Sequence, residues 1–544
     1  MKHVLFVVAL LSIMSCTLFC QTIISGRVTG YDGKPMIKAN VQIKKPLTRN
    51  SIAETTVAND GNYSLTTLDS GIVLVTYTGV NHKLYDVALY IEKPSSIKLD
   101  VQLSTYDYFD TISSVNIIGD FNNFNFGTAQ LMTKQDDGTF ISEFETKADT
   151  FKYQILGVET TGKSINGTQS DGFKRDPDGD YRSLVYPKDG KVKIIFKPAK
   201  LVRSNTNAQA QFLGDDSLNS RFSSIYDEMM KREYAYRNAA RAFEKTGRDR
   251  KDFQFDWSAD KSYLTSNVMQ EKVPILKQLY ILSYLNLSMF RVPDLDSNIT
   301  NLVFSNILPT SPLWSLSPFS IYATSPSGHA TRTDNYIQEM EEKNPDINVR
   351  ANFVMNRMMM AQYSHKTEEY FKLYDKMVTE FKDTDVGKMT KERFSRELKL
   401  KTGTPVPDFS FVSMDDPKIV HTNKTLLGRV YLLDFWSTWC GGCVAEMENL
   451  HKTYEKFKPV GFEILSLSFD GKLEDVIKFR KNKWKMPWFN SLIEKGFDND
   501  IVKQFDIIGV PTPVLVDKTG KILALNEDLR GEKLEKMLDK VFAQ

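Results

Sequence analysis

Two N-terminal β-sandwich domains, an α-helical middle region and a C-terminal α/β domain make up the multidomain fold this sequence predicts. The 544 residues exceed what one hydrophobic core supports, and roughly 150 residues per domain suggests three or four domains. The apolar pattern comes in short, turn-punctuated runs up to about residue 200. It takes a helical period from about 215 to 400, then becomes apolar strand runs alternating with helices. Hydrophobic residues at 41% and charged residues at 25% are ordinary for folded soluble protein. The net charge of +2, from 70 basic and 68 acidic residues, supplies no field for nucleic acid or an anionic membrane, so neither partner is expected.

Residues 1–20 read as a signal peptide. Lys2 supplies the positive start, Val4 to Met14 form an apolar run too short to span a bilayer, and the chain turns polar at Gln21. The alternative is a lipoprotein signal, with Ile13, Met14 and Ser15 preceding an acylated Cys16. Either reading sends the chain to the periplasm or cell envelope of a bacterium. Of four cysteines, Cys16 and Cys20 lie in this segment, so the mature chain would keep only Cys440 and Cys443. An exported chain that avoids cysteine everywhere except one C-x-x-C uses that pair for chemistry.

Residues 21–105 read as strands Ile23–Val28, Val41–Lys44, Tyr63–Thr66, Val73–Tyr77 and Leu99–Leu103, with turns at Asp32-Gly33 and at 59–61. Gly26, Gly30, Gly33-Lys34-Pro35, Ala39-Asn40-Val41 and Gly61-Asn62-Tyr63 resemble the carboxypeptidase-regulatory-like β-sandwich. Residues 106–200 form a second β segment, with strands at 114–118 and 192–196 and turns at 136–138 and 188–190. Its stretch Ile117, Ile118, Gly119, Asp120, Phe121, Asn122, Asn123, Phe124 resembles glycogen-binding modules of the early-set immunoglobulin-like type. Such modules grip sugar with exposed rings, usually including Trp, yet no Trp precedes Trp257. An immunoglobulin-like spacer is therefore preferred, with glycan binding as its alternative. Asp176, Asp178 and Asp180 alternate like calcium ligands, but Pro187 stands where an EF-hand needs Glu, so this reads as a solvated turn.

Residues 205–400 turn helical. Leu218, Phe222, Ile225 and Met229 make one stripe, with Asp216 as cap and Gly247 as stop. A helix is expected from about 266 to 290, with Pro274 as kink or start and Pro293 beyond its end. Asn344-Pro345 reads as a cap opening a helix over 346–362, and Tyr370, Leu373, Met377 and Phe381 mark another. Met358-Met359-Met360 invites a soft-metal reading, but consecutive positions point around a helix, which favours packing. Residues 309–327, rich in Pro and Ser, are expected to be loop.

From Gly403 strands and helices alternate. Val430 to Trp436 is a buried-strand run, 437–439 a short loop, and Cys440 to about Phe457 a helix. Phe462–Ser468, Val514–Val516 and Ile522–Leu525 follow as strands, with a turn at 517–520 and a last helix from about Glu532. A mixed sheet covered on both faces is expected. Gly403, Pro405, Pro407-Asp408-Phe409, then Leu433-Asp434-Phe435-Trp436, Trp439-Cys440-Gly441-Gly442-Cys443, Glu446, and finally Gly509-Val510-Pro511-Thr512-Pro513 stand in order and spacing. Residues 402–544 resemble the thioredoxin superfamily, and within it the TlpA/ResA-like exported thiol–disulfide oxidoreductases.

The resemblance implies a thioredoxin fold and a redox-active Cys440–Cys443 disulfide with no further cofactor. Cys440, at the exposed start of a helix, would be an acidified nucleophile, and Cys443, one turn inside, would resolve the mixed disulfide. Asp434, six residues upstream on an apolar strand, would be a buried carboxyl passing protons to and from Cys443. Glu446 would tune the thiols. Pro511 matches the family's cis-proline facing the dithiol, and Trp439 flanks the pair. The bland readings are a structural acid for Asp434 and an ordinary helix charge for Glu446. Zinc lacks a second C-x-x-C, and His451 does not have structural-site spacing.

The implied activity is reduction of disulfides in protein clients, with electrons from a membrane or periplasmic donor. Gly442 stands where reducing relatives usually carry proline, which keeps oxidase or isomerase as alternatives. A cell-envelope glycan- or protein-binding scaffold with an accessory redox domain is the competing class.

Overall fold

The computed structural model describes residues 21–543 except 49, 177–179, 245, 247, 249–251, 291, 293, 328–329 and 365. The expected signal segment with Cys16 and Cys20, the centre of the Asp176–Asp180 turn, and the stop residues Gly247 and Pro293 lie outside the described residues. The chain divides into two compact units, Met1–Arg350 and Ala351–Gln544. No described helix is long and apolar enough to cross a membrane.

The first unit opens with two four-stranded sheets. Thr22–Thr29 pairs antiparallel with Asn62–Thr67 and parallel with Ser96–Gln102. The other sheet runs in the order Ser51–Thr56, Ala39–Lys44, Gly71–Gly79, Tyr85–Ile91. Their inward residues, among them Ile24, Val41, Leu65, Val75 and Leu99, share one core. Along Asn62–Thr67 exposed and buried positions alternate strictly, as a strand with one wet face requires. The sheet edge beside Ser96–Gln102 is covered by Gln209–Leu213, a strand lying where the sequence reads as helical. Between these two strands sits a second β module whose five- and three-stranded sheets close on Ile117, Phe140, Tyr153, Ile155 and Ile194.

Helices follow. Asp216 Oδ1 accepts from the Asn219 N–H at 3.1 Å and starts helix Ser217–Glu244, whose Phe222, Ile225 and Met229 are buried. The single helix expected over 266–290 is instead two, Ser258–Gln270 and Pro274–Asn286. Pro274 opens the second, and Val273 before it is extended (φ −78°, ψ 117°), the conformation that proline imposes on its predecessor. The Asn344-Pro345 cap is also displaced: Asp346 Oδ1 accepts from Asn348 N–H at 2.8 Å, so Asp346 caps helix Ile347–Tyr363. The expected loop over 309–327 holds two 3-10 segments, Pro312–Ser315 and Pro318–Ser327, anchored by fully buried Trp314 and Ile321.

In the second unit, residues 351–363 and helices Thr367–Thr379 and Asp385–Arg393 share a core of Val354, Met358, Tyr370, Leu373 and Met377. Met358 is fully buried while Met360 is 55% exposed, so the methionine run points around its helix and does not converge. Downstream lies a five-stranded sheet in the order Phe489–Leu492, Phe462–Ser468, Val430–Trp436, Thr512–Val516, Ile522–Leu525. The first three strands run parallel, Thr512–Val516 runs against them, and Ile522–Leu525 pairs antiparallel with Thr512–Val516, which is the thioredoxin fold. Every residue of Val430–Trp436 is buried. Val430, Leu432 and Trp436 enter one core, and Tyr431, Leu433 and Phe435 the other, so helices and loops cover both faces.

Candidate active site

The period of two along Val430–Trp436 sends Asp434 to the same face as Leu432 and Trp436. That face also receives helix Gly441–Phe457, whose buried Cys443, Met447, Leu450 and Tyr454 form its inner stripe. The short loop 437–439 joins strand to helix, and Asp470 holds it by accepting from Thr438 N–H at 2.9 Å and Thr438 Oγ1 at 2.5 Å.

Cys440 is the N-cap of this helix (φ −81°, ψ 101°) and is disulfide-bonded to Cys443, with Cα atoms 5.2 Å apart. The Cys443 N–H donates to Cys440 Sγ at 3.0 Å, satisfying one of the helix's unpaired amides. When the bond opens, this amide and the helix N-terminus favour negative charge on that sulfur. The exposed position expected of Cys440 is not found: Cys440 is 7% exposed and Cys443 2%, both packed in the core with Trp436. What faces solvent is Trp439, 53% exposed with its ring centroid 6.4 Å from Phe497, together with Gly441 and Gly442.

The Val510-Pro511 bond is cis, and the Val510 carbonyl oxygen lies 3.4 Å from Cys440 Sγ. Pro511 also stands beside the turn between the cysteines: a Cβ on Gly442 would sit 3.6 Å from its Cδ.

Asp434 is 5% exposed, and its Oδ2 accepts from the Ser466 hydroxyl at 2.9 Å. Trp488 Nε1–H in turn donates to that hydroxyl at 2.9 Å. Burial pushes the Asp434 carboxyl up to about 6; the Ser466 hydrogen bond opposes this, the Glu446 charge adds to it, and Arg530 works against it. A carboxyl of that acidity gives and takes protons near neutral pH.

Glu446, one turn beyond Cys443, does not stand alone. Its Oε1 accepts from Arg530 Nε at 3.0 Å and its Oε2 from the Gly531 N–H at 3.0 Å. Arg530 Nη1 donates to Tyr363 Oη at 2.9 Å. His451 takes no part in the site: its ring nitrogens meet the backbone oxygens of Met447 and Lys485. The structure thus brings Pro511 against the Cys440–Cys443 pair, with Trp439 at its rim, Glu446 turned toward Arg530, and Asp434 on the strand face that the dithiol helix covers. Ser466, Arg530 and Tyr363 escaped sequence reading. The only cue for Ser466 was a polar residue in an apolar strand, and nothing local pointed to the other two.

A dithiol at a helix N-cap, with a buried acid behind it and a cis-proline across it, defines the class: a thioredoxin-fold thiol–disulfide oxidoreductase. Comparison with known proteins agrees. A family described as thioredoxin-like matches residues 428–522. Thiol-disulfide oxidoreductase ResA of Bacillus cereus (strain ATCC 10987 / NRS 248) is 32% identical over 146 residues, covering 27% of this chain and 79% of the relative. ResA of Bacillus thuringiensis subsp. konkukian (strain 97-27) is 31% identical over 146 residues, with the same shares of 27% and 79%. Among solved structures, the thioredoxin domain of a thiol-disulfide oxidoreductase from Bacteroides vulgatus is 31% identical. It covers 26% of this chain and 99% of that one, with a TM-score of 0.24. Through its C-terminal part, this chain belongs to the ResA family of thiol-disulfide oxidoreductases.

Proposed function

We propose that the protein is an exported reductase of disulfides in protein clients. The observation that carries the reading is Cys440 at the helix N-cap, its sulfur 3.0 Å from the Cys443 N–H. In the dithiol form the Cys440 thiolate attacks one sulfur of the client disulfide. That S–S bond breaks, one client sulfur leaves as thiolate and takes a proton, and a mixed disulfide forms. Cys443, losing its proton to Asp434, attacks Cys440 Sγ; the mixed disulfide breaks, the second client sulfur leaves as thiolate and takes up a proton, Asp434 gives up its own, and the Cys440–Cys443 disulfide closes. Two electrons have passed to the client. A dithiol donor on the membrane or in the periplasm then reduces the pair again. The Val510 carbonyl and Pro511 align the client strand, Trp439 offers it an exposed ring, and Glu446 sets the local charge.

The apolar run after Lys2 supports export, and a cysteine-poor chain suits a compartment where stray thiols would oxidise. Gly442 favours a second reading, a weaker reductant acting as oxidase or isomerase, because glycine frees the turn when the disulfide opens. Turbidity from insulin reduction, with dithiothreitol as donor, tests the first reading; no acceleration over dithiothreitol alone would overturn it. A glutathione redox titration separates the two directions.

A further inference from the structure

Arg530 has no part in the exchange just described, yet it is the basic side chain built into this site. It follows the 3-10 turn Asn526–Leu529 and precedes helix Glu532–Phe542. Two contacts fix its guanidinium: Nε on Glu446 at 3.0 Å and Nη1 on Tyr363 Oη at 2.9 Å. The side chain is 25% exposed, and that of Glu446 20%. The remaining nitrogen, Nη2, lies 3.9 Å from where a Cβ on Gly442 would stand, so the cation faces the turn between the two cysteines.

The sign of the local field is what makes this arrangement consequential. Glu446 sits three residues beyond Cys443 on the same helix, where an unpaired carboxylate would oppose a thiolate. Pairing with Arg530 cancels that charge, and the guanidinium's remaining edge turns a positive face to the dithiol. We propose that Arg530, held by Glu446 and Tyr363, is a positioning residue of the dithiol site, its fixed charge favouring the anionic state of the opened Cys440–Cys443 pair. The titratable groups around it are Glu446 on the dithiol helix, Tyr363 and Glu527 on flanking elements, and Asp434 on the central strand. Arg530 also favours the ionised form of Asp434, the form that accepts a proton from Cys443.

The inference rests on the dithiol reading above. The experiment is the pH profile of Cys440 alkylation by iodoacetamide in the reduced full chain, with the labelled peptide identified by mass spectrometry. Arg530→Gln keeps hydrogen-bonding groups and removes the charge; it should move the midpoint up by about one pH unit. Arg530→Lys should restore at least half of that shift. Glu446→Gln, which leaves the cation unopposed, should move the midpoint down, and it stands as an independent test where Arg530→Gln fails to fold. A purely structural role would lower stability and leave the profiles superposed, and superposed profiles overturn the proposal, as does an upward move in Glu446→Gln. A wild-type Cys440 that titrates like a free thiol near ~8.5 and fails to reduce insulin would overturn the dithiol reading itself. Superposed profiles in a chain that reduces insulin would overturn only the role of Arg530.

Discussion

The Ser466 hydroxyl donates to Asp434 Oδ2 at 2.9 Å, and the two residues are register partners on neighbouring parallel strands. This one hydrogen bond is what the sheet offers a carboxyl buried in an apolar layer, and it falls short of what the desolvated charge loses. The carboxyl therefore keeps its proton up to about pH 6 in the folded chain but only to 3.8 when unfolded. Between those values the folded state binds the extra proton, so stability falls as pH rises through the window and levels off above it. Asparagine has no proton to lose. Asp434→Asn should be more stable than wild type by up to about 3 kcal/mol at about pH 8, with the gain gone near pH 4. Urea denaturation at both pH values measures this; an equal gain at both would mean the carboxyl is not buried as a neutral acid.

The same variant should be a slower enzyme. With no carboxylate to take the Cys443 proton, reduction of a model disulfide should slow most above about pH 6, where the wild-type group is ionised. Rates matching wild type from pH 6 to 9 would return Asp434 to a structural part.

Gly442 offers a test of poise. When the disulfide opens, a glycine in the turn regains more backbone freedom than proline would, which favours the dithiol state. The position is the second residue of helix Gly441–Phe457, within the turn where proline is tolerated, and a Cβ there meets Pro511 Cδ at an ordinary 3.6 Å. Gly442→Pro should therefore be more reducing than wild type, by on the order of 30 mV, which corresponds to ~1.4 kcal/mol for two electrons. Equal potentials in a glutathione titration would sink the idea.

Gly531 holds the other side of the site. Its φ of 57° lies in the region open to glycine, and its N–H donates to Glu446 Oε2 at 3.0 Å. No atom stands within 4 Å of an added Cβ, so the cost of Gly531→Ala is backbone strain alone. A loss of about 1–3 kcal/mol is expected from the denaturant midpoint. An unchanged midpoint would show that the loop readily adopts another path.

What sequence revealed here depended on how locally each feature is determined. The apolar run 430–436, the loop after it and a helix opening at Cys440 are encoded in consecutive residues, and two-residue alternation alone puts Asp434 on the strand face that this helix covers. Pro274 was visible as a break, yet its choice between kinking one helix and starting another depended on Val273 being extended. The strand Gln209–Leu213 is short and half polar; its partner Ser96–Gln102 lies a whole β module upstream, so no local pattern marks it. Arg530 reaches Glu446 across 84 residues and Tyr363 across 167. Such contacts exist only once the sheet has formed, and an arginine before a glycine looks like any surface charge. The burial of Cys440 was missed for a related reason: a helix start is usually wet, but this one is roofed by the Val510-Pro511 loop.

The order of the two sulfurs can be fixed by trapping. Cys440 is the N-cap and its sulfur already receives the Cys443 N–H, so in the dithiol it should carry the lower pKa and react first with an alkylating agent. Cys443 lies one turn inside, 2% exposed against 7%, and its sulfur lacks the cap position. Because both are buried in the disulfide form, the difference should emerge only after reduction, and exposure alone should not produce it. Cys440→Ser should abolish turnover, since no nucleophile remains to enter a client disulfide. Cys443→Ser should accumulate a covalent complex through Cys440, since nothing remains to resolve it. Among residues 21–544 there is no other cysteine, so an adduct on either variant maps to a single sulfur. Mass spectrometry of complexes purified with Cys443→Ser would then name the clients directly. Adducts on Cys440→Ser, with none on Cys443→Ser, would reverse the assignment and place the attacking thiolate one turn inside the helix.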